Sequence, residues 1–213
     1  MRAVAVVAVA ACWRGPDAPR SPIDDMGWLV GVWHAPELDS EWARVGRTLY
    51  GVAFTDATFE INIIADRDAQ SRPRPVTLVS TTWSWSAPEH DEHMEFALAS
   101  ADARRVELVD GKDRVVVVTK MDGGWRGEFR QPGAAPIAFV MTPAPSRADR
   151  SLEAADRAAT FLEHHTVRGS GAIGDHGYTF GTFVARGRRG SYCHVWKRDG
   201  GSWAEVAWVT QLE

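Results

Sequence analysis

The residues best suited to chemistry in this sequence are two glutamates, Glu41 and Glu60, which lie on predicted β-strands close to tryptophans. A carboxyl group that faces an enclosed apolar interior has a raised pKa, and it can bind or protonate a ligand there. Glu60 alternates with Phe59 and Ile61, so its side chain lies on the opposite face of the strand from both. Alternation does not say which face is the interior, and an outward, solvated glutamate is the alternative at both positions.

The histidine-containing motifs are weaker candidates for a site. Residues 90–93 read His-Asp-Glu-His, types that bind divalent metals, but they lie between two predicted strands, where we expect a solvated turn. Adjacent side chains on a helix diverge, so His164 and His165 form no chelate. Asp175 and His176 have the types of an acid/base pair, although a turn at a strand entry also explains them.

Motifs that specify a reaction are missing from the sequence. It contains no nucleophile elbow, phosphate-binding loop or dinucleotide fingerprint. No spacing of cysteines and histidines suggests zinc. We therefore expect no catalytic residue, no metal site and no cofactor.

Ten tryptophans are many for 213 residues. Such a set either lines a ligand cavity or fills a core, because each indole buries a large area. Trp83 and Trp85 are two residues apart on one predicted strand, so they share a face. If that face lines a hollow interior, the predicted ligand-binding residues are Trp33, Trp42, Glu60, Trp83 and Trp85. In a filled barrel the same tryptophans are core residues.

The N-terminal residues MRAVAVVAVAAC have the features of an export signal. The apolar run from Ala3 to Ala11 is shorter than the ~20 residues that span a bilayer, and it suits a signal-peptide core. Residues 9–12, Val-Ala-Ala-Cys, resemble a bacterial lipobox. We therefore predict a signal and tether over 1–21, lipidation of Cys12, and an exported protein anchored to the bacterial cell envelope. A misplaced start or a buried first strand is the alternative, with a cytoplasmic location.

Composition limits the partners that we expect. The net charge of −4 lacks the basic footprint of a nucleic-acid binder. A membrane would be contacted only through the lipid anchor, and the remaining expected partner is a small apolar ligand. Lipidation of Cys12 would leave Cys193 without a pairing partner, so we expect no disulfide. The oligomeric state is left open.

Residues 22–145 have the pattern of an antiparallel β-barrel of about ten strands. Short apolar segments with period-two alternation are divided by turns such as Asp110-Gly111 and Pro132-Gly133. Closing such a sheet removes its edges. The predicted strands cover 30–35, 39–45, 48–55, 58–66, 76–85, 93–101, 104–110, 114–121, 124–131 and 136–142.

The start of this region resembles a bacterial lipocalin-like domain family of unknown function. The resemblance is carried by Trp28, Leu29, Gly31, Trp33, Glu41, Trp42, Gly51, Phe59 and Glu60. It implies a barrel in which Trp33, in the Gly-x-Trp element, packs across the base. It implies no reaction.

Residues 146–213 predict one helix and a three-stranded antiparallel sheet. The helix is expected within 146–169, with Leu152 and Ala155 on its apolar face and Asp156 opposite. The strands are expected at 172–186, 191–199 and 203–211.

This second region resembles the closing strands of SnoaL-like proteins of the nuclear-transport-factor-two superfamily. The matching residues are Gly174, Asp175, Gly177, Tyr178, Thr179, Gly181, Gly190, Tyr192, Val195, Trp196, Lys197, Arg198, Gly201 and Trp203. In this chain the helix leads almost directly into the sheet, so the family's cone cavity is incomplete or is completed by the barrel. No catalytic residue carries over.

The sequence thus predicts a mainly β protein: a lipocalin-like barrel, then a helix and a small sheet. The preferred function is an exported, non-enzymatic module that binds a small apolar or aromatic ligand in the barrel. Two alternatives are a structural or interaction domain with a filled barrel, and a SnoaL-like acid/base enzyme of the isomerase or hydrolase type.

Overall fold

The computed structural model describes residues 21–68, 70–159 and 164–213. The predicted export signal and Cys12 lie outside these ranges, so their roles stay predictions. Among the helices in the described ranges, none has the length and apolar character needed to span a bilayer.

Ten antiparallel strands close into a barrel, and this confirms the predicted fold of the first region. Each strand pairs with its neighbours in sequence, and β1 closes the ring by pairing with β10 through Trp33 opposite Pro143 and His34 opposite Thr142. The strands are β1 (Gly31–Ala35), β2 (Leu38–Val45), β3 (Thr48–Phe54), β4 (Thr58–Arg67), β5 (Pro73–Ser84), β6 (Ala87–Ala101), β7 (Arg105–Val109), β8 (Val115–Met121), β9 (Gly124–Arg130) and β10 (Ile137–Pro143).

A short N-terminal segment closes one end of the barrel. It consists of helix α1 (Pro22–Asp25), which Ser21 caps, and a 3-10 turn, Gly27–Leu29. Ile23, Met26 and Leu29 are 0–2% exposed and belong to the core inside the barrel. The Trp33 indole Nε1 donates to the Leu29 carbonyl at 2.7 Å. The turns that follow β1, β3, β5, β7 and β9 form the opposite end, which we call the distal end.

The C-terminal region contains helix α2 (Arg150–Ala158) and a sheet of four strands, which corrects the predicted three. The strands are β11 (His165–Ile173), β12 (His176–Ala185), β13 (Arg188–Asp199) and β14 (Ser202–Leu212), antiparallel in that order.

The predicted helix was too long at its C-terminal end. Helix α2 ends at Ala158, and residues 165–169, which the helical pattern included, belong to β11 instead. The predicted strand 172–186 is divided by a turn at Gly174, whose φ of +58° is in the left-handed region that favours glycine. Backbone pairing with β12 stabilises β11 as a strand. The local helical pattern cannot predict this, because the pairing depends on residues farther along the chain.

The C-terminal sheet packs on the outside of the barrel. Outward residues of β2 to β5 and one face of the sheet form a single buried cluster, which we call the interface core. Helix α2 contacts β11 and β12, and its Leu152 and Asp156 are fully buried. Two expectations stay predictions: that residues 22–145 fold alone, and that residues 146–213 alone are only marginally stable. The interface core contains Tyr50, Val52, Phe54, Phe59, Ile61, Ile63, Tyr178, Phe180, Cys193 and Val195, among others.

Candidate functional site

Strand β4 divides its side chains between the inside and the outside of the barrel. Phe59, Ile61 and Ile63 point outward into the interface core. Glu60, Asn62 and Ile64 alternate with them and line the lumen. Of the two alternatives for Glu60, the structure shows the inward one.

The lumen holds a cavity of about 310 Å³. That volume is near ten water volumes and lies at the lower end of the range of small-ligand cavities, roughly 300–1,000 Å³. Most of its wall is apolar, so it suits an apolar molecule. Representative wall residues are Leu78, Phe96, Leu108, Val116, Val118 and Phe139.

One side of the lumen is polar. Glu60 accepts hydrogen bonds there from Asn62 Nδ2 at 2.5 Å and from Thr82 Oγ1 at 3.1 Å. Ser40 and Ser80 line the same cavity from β2 and β5. These groups provide acceptors and donors that can orient the polar end of a ligand.

Tryptophans form the deep part of the lumen, near the end that α1 closes. Trp33 and Trp125 meet edge to face with their centroids 6.2 Å apart. Trp42 lies across Gly51 on the neighbouring strand, where any added Cβ would come within 2.5 Å of the indole ring. Trp125 and Trp42 line the cavity, and the buried Trp125 Nε1 finds no hydrogen-bond partner in the described part of the chain. A ligand acceptor would satisfy that donor.

The structure places three of the five predicted binding residues inside the barrel and two outside it. Trp42 and Glu60 line the cavity, and Trp33 is packed beneath it in the barrel core. Trp83 and Trp85 lie outside the barrel, which corrects the lumen position considered for them. Trp83 stacks on Phe59 at 5.1 Å, and Trp85 stacks on His176 at 3.8 Å. On β5 the inward positions are the even ones, including Ser80, so the odd Trp83 points outward.

Glu41 also lies outside the lumen and joins the barrel to the sheet. Its carboxylate accepts a hydrogen bond from the Tyr178 hydroxyl. Burial raises the pKa of Glu41 above its usual value, and burial together with the nearby carboxylate raises the pKa of Tyr178. The pair therefore has a positional role in the interface.

Asp156 on α2, which was not predicted as a site residue, has several hydrogen-bond partners. It was expected on the polar face of the helix, yet it is fully buried. It accepts hydrogen bonds from Thr179 Oγ1 and from Tyr192 at 2.9 Å, and His194 Nδ1 and His165 Nε2 lie 3.2 and 3.1 Å away. Burial raises the pKa of Asp156, but the hydrogen bonds from His194 and Thr179 outweigh burial and hold it below the usual value.

This carboxylate cluster resembles an acid/base pair in its residue types alone. Asp156 and His194 are both 0% exposed, and neither is among the residues that line the lumen cavity. The geometry instead fixes α2 on the sheet. The available sequence signal was Tyr192 and His194 two apart on one strand, which places both on the face opposite Cys193 and Val195.

Residues 90–93 are part of strand β6, which corrects the turn expected there. Asp91, Glu92 and His93 are exposed, and His93 Nδ1 lies 3.2 Å from Thr81 Oγ1 across the strand pair. The described ranges contain no group of three or more histidine, cysteine or acidic side chains arranged to hold a metal ion.

Fold and cavity together define a closed, ten-stranded antiparallel barrel with a ligand-sized lumen and a sheet packed on its outer wall. No protein-family model matches the chain, and no curated protein and no solved structure matches it either. The two family resemblances therefore stay predictions, and the lumen is the feature of the molecule that bears on function.

Proposed function

We propose that this protein is a non-enzymatic binding module that holds a small, mainly apolar ligand inside the barrel. The observation that carries the proposal is the cavity of about 310 Å³ with an apolar wall and a polar side at Glu60. The lipocalin-like resemblance of residues 28–60 agrees with this use of the fold.

The energetic cost of such a cavity supports the proposal. Protein interiors are close-packed, and voids larger than a water molecule are few. Water bonds poorly to the apolar part of the wall, whereas an apolar ligand would recover the missing contacts.

Binding of a neutral apolar dye, N-phenyl-1-naphthylamine, tests this function. Val118 lines the lumen from β8, and Thr119 lies on the outer face of the same strand by alternation. We expect V118F to lower dye affinity at least tenfold because the new ring occupies the cavity. The matched T119F should bind like the original protein.

Two results would contradict the function. Equal dye affinity in V118F and in the original protein would place the dye outside the lumen. Failure of the original protein to bind this dye or any aliphatic probe would favour a structural domain.

We also propose that the protein is exported and anchored through Cys12, as the lipobox resemblance implies. In the native host, Cys12→Ser should leave an unprocessed, unlipidated protein that no longer fractionates with membranes. Unchanged mass and fractionation would contradict the anchor without affecting the lumen proposal.

A further inference from the structure

The ionisable residues that line the lumen are all acidic. The residues that line it include no lysine, arginine or histidine, and their acidic members are Glu60 and Glu128. Glu128 is on β9 between the inward Gly127 and Phe129, and its carboxylate pairs with Arg130 at 2.6 Å. Glu60 is therefore the carboxylate that the cavity itself contains.

Glu60 has neutral partners only. Its two oxygens accept from an amide and a hydroxyl, Asn62 and Thr82, and it forms no ion pair within the described residues. Glu60 is half-buried in the cavity wall, and a cation supplied by a ligand would give this carboxylate the charged partner that it lacks among the described residues.

The approach to the lumen is acidic as well. A cleft of about 740 Å³ lies between the distal end of the barrel and the β11–β12 turn, and it shares Leu38 with the lumen. Asp39 in this cleft is paired with Arg147 at 2.5 Å. Glu37, Asp56 and Asp175 also line the cleft and form no ion pairs within the described ranges.

The basic group in that cleft does not offset its charge. Burial lowers the pKa of His176 below the ordinary 6.5, and the positive charge of Lys197 lowers it further, against a smaller opposing effect of Asp175. His176 is therefore neutral at pH 7. The residues that line the cleft thus include four carboxylates, one of them paired with Arg147, and no lysine or arginine, a lining that favours cations over anions.

From these charges we propose that the ligand is a cationic amphiphile, an apolar molecule whose protonated amine binds Glu60 while its apolar part fills the lumen. The inference rests on the proposed function, since it assigns a ligand class to the same cavity. It excludes fatty acids and similar anions, because their carboxylate would lie beside Glu60 with the same charge.

Displacement of N-phenyl-1-naphthylamine by three probes of equal chain length tests this choice: decylamine, decan-1-ol and decanoate at pH 7. An alkylammonium is protonated at this pH, as a lysine side chain is. We expect decylamine to bind at least tenfold more tightly than decan-1-ol, and decanoate to bind most weakly. The preference for the amine should weaken as salt is added.

Glu60→Gln removes the negative charge while keeping the size of the side chain, and Glu95→Gln is its matched control. Glu95 is on the outer side of β6, is 52% exposed in its side chain and pairs with Arg74 at 2.9 Å. We expect E60Q to lose at least tenfold in decylamine affinity while its decan-1-ol affinity changes less than threefold. E95Q should bind all three probes as the original protein does. Urea midpoints of both variants verify that they are folded.

The outcomes separate this inference from the proposed function. Equal affinity for decylamine and decanoate, or unchanged decylamine binding in E60Q, would overturn the cationic ligand while dye and alcohol binding keep the ligand barrel. Failure of the dye and all three probes to bind the original protein would overturn both.

Discussion

The inner and outer faces of strand β4 are both buried, yet they lie in opposite kinds of environment. Outward residues Phe59 and Ile61 are 0–1% exposed and packed against the C-terminal sheet. Inward residues Glu60, Asn62 and Ile64 border an open cavity. One face of the strand thus packs in the interface core, and the other lines the lumen cavity.

The two faces differ in how their aromatic rings are arranged, and stacked rings do not mark the proposed ligand site in this fold. The densest stack, formed by Phe59, Trp83, Trp85 and His176, lies outside the barrel and joins it to the sheet. The cavity wall has five aromatic residues, and the pairs Phe96–Phe129 and Trp125–Phe139 meet edge to face and do not stack. Rings that stack on one another have no surface left for a ligand, whereas the side chains of the lumen wall have surface that faces the cavity.

The carboxylates of Asp156 and Glu60 should show the largest difference in their effect on stability. Asp156 is fully buried among several hydrogen-bond donors, so Asp156→Ala should lower the free energy of unfolding by about 3–5 kcal/mol, as for other broken buried pairs. Glu60→Gln keeps an acceptor for Thr82 and should change it by less than roughly 1 kcal/mol. Urea denaturation measures both, and comparable losses at the two sites would contradict the distinction.

Two isoleucines on the same strand sharpen the comparison with a smaller effect. Ile61 and Ile64 are 1% and 2% exposed, but only Ile64 borders the cavity. Within the ~2–5 kcal/mol range for such truncations, Ile61→Ala should lie near the top and Ile64→Ala near the bottom, because the lumen wall makes fewer contacts to lose. Equal unfolding free energies, from the same denaturation curves, would indicate a filled barrel.

The smallest expected effect is a pH dependence confined to the interface. Burial lowers the pKa of His176, so the unfolded chain binds its proton first, and stability decreases as pH falls below 6.5 toward the folded-state pKa. Glu41 acts in the opposite sense, because its raised pKa makes the folded state bind a proton first. We expect His176→Gln to reduce the loss in urea midpoint between pH 7.5 and 5.5. An unchanged difference would place the titration elsewhere.

Much of the barrel could be predicted because its signals are local. Alternation and turn residues located all ten strands to within a few residues at most ends, and a sheet of sequential antiparallel strands favours closure because closure removes its edges. Of the proposed ligand residues, Trp42 and Glu60 proved to line the cavity. Trp83 and Trp85 did not, because alternation shows that two residues share a face without showing which face is inside.

By itself, then, the sequence determined the mainly β class, the strands of the barrel and the pairing of faces along each strand, since period two and turn chemistry act over a few residues. Only the tertiary structure decided that β4 places Glu60 inward, that 165–173 is a strand, and that Asp156 is buried. Each of these depends on partners far along the chain. Closure of the barrel, pairing with β12 and packing of α2 on the sheet supply burial and hydrogen bonds that no local pattern contains.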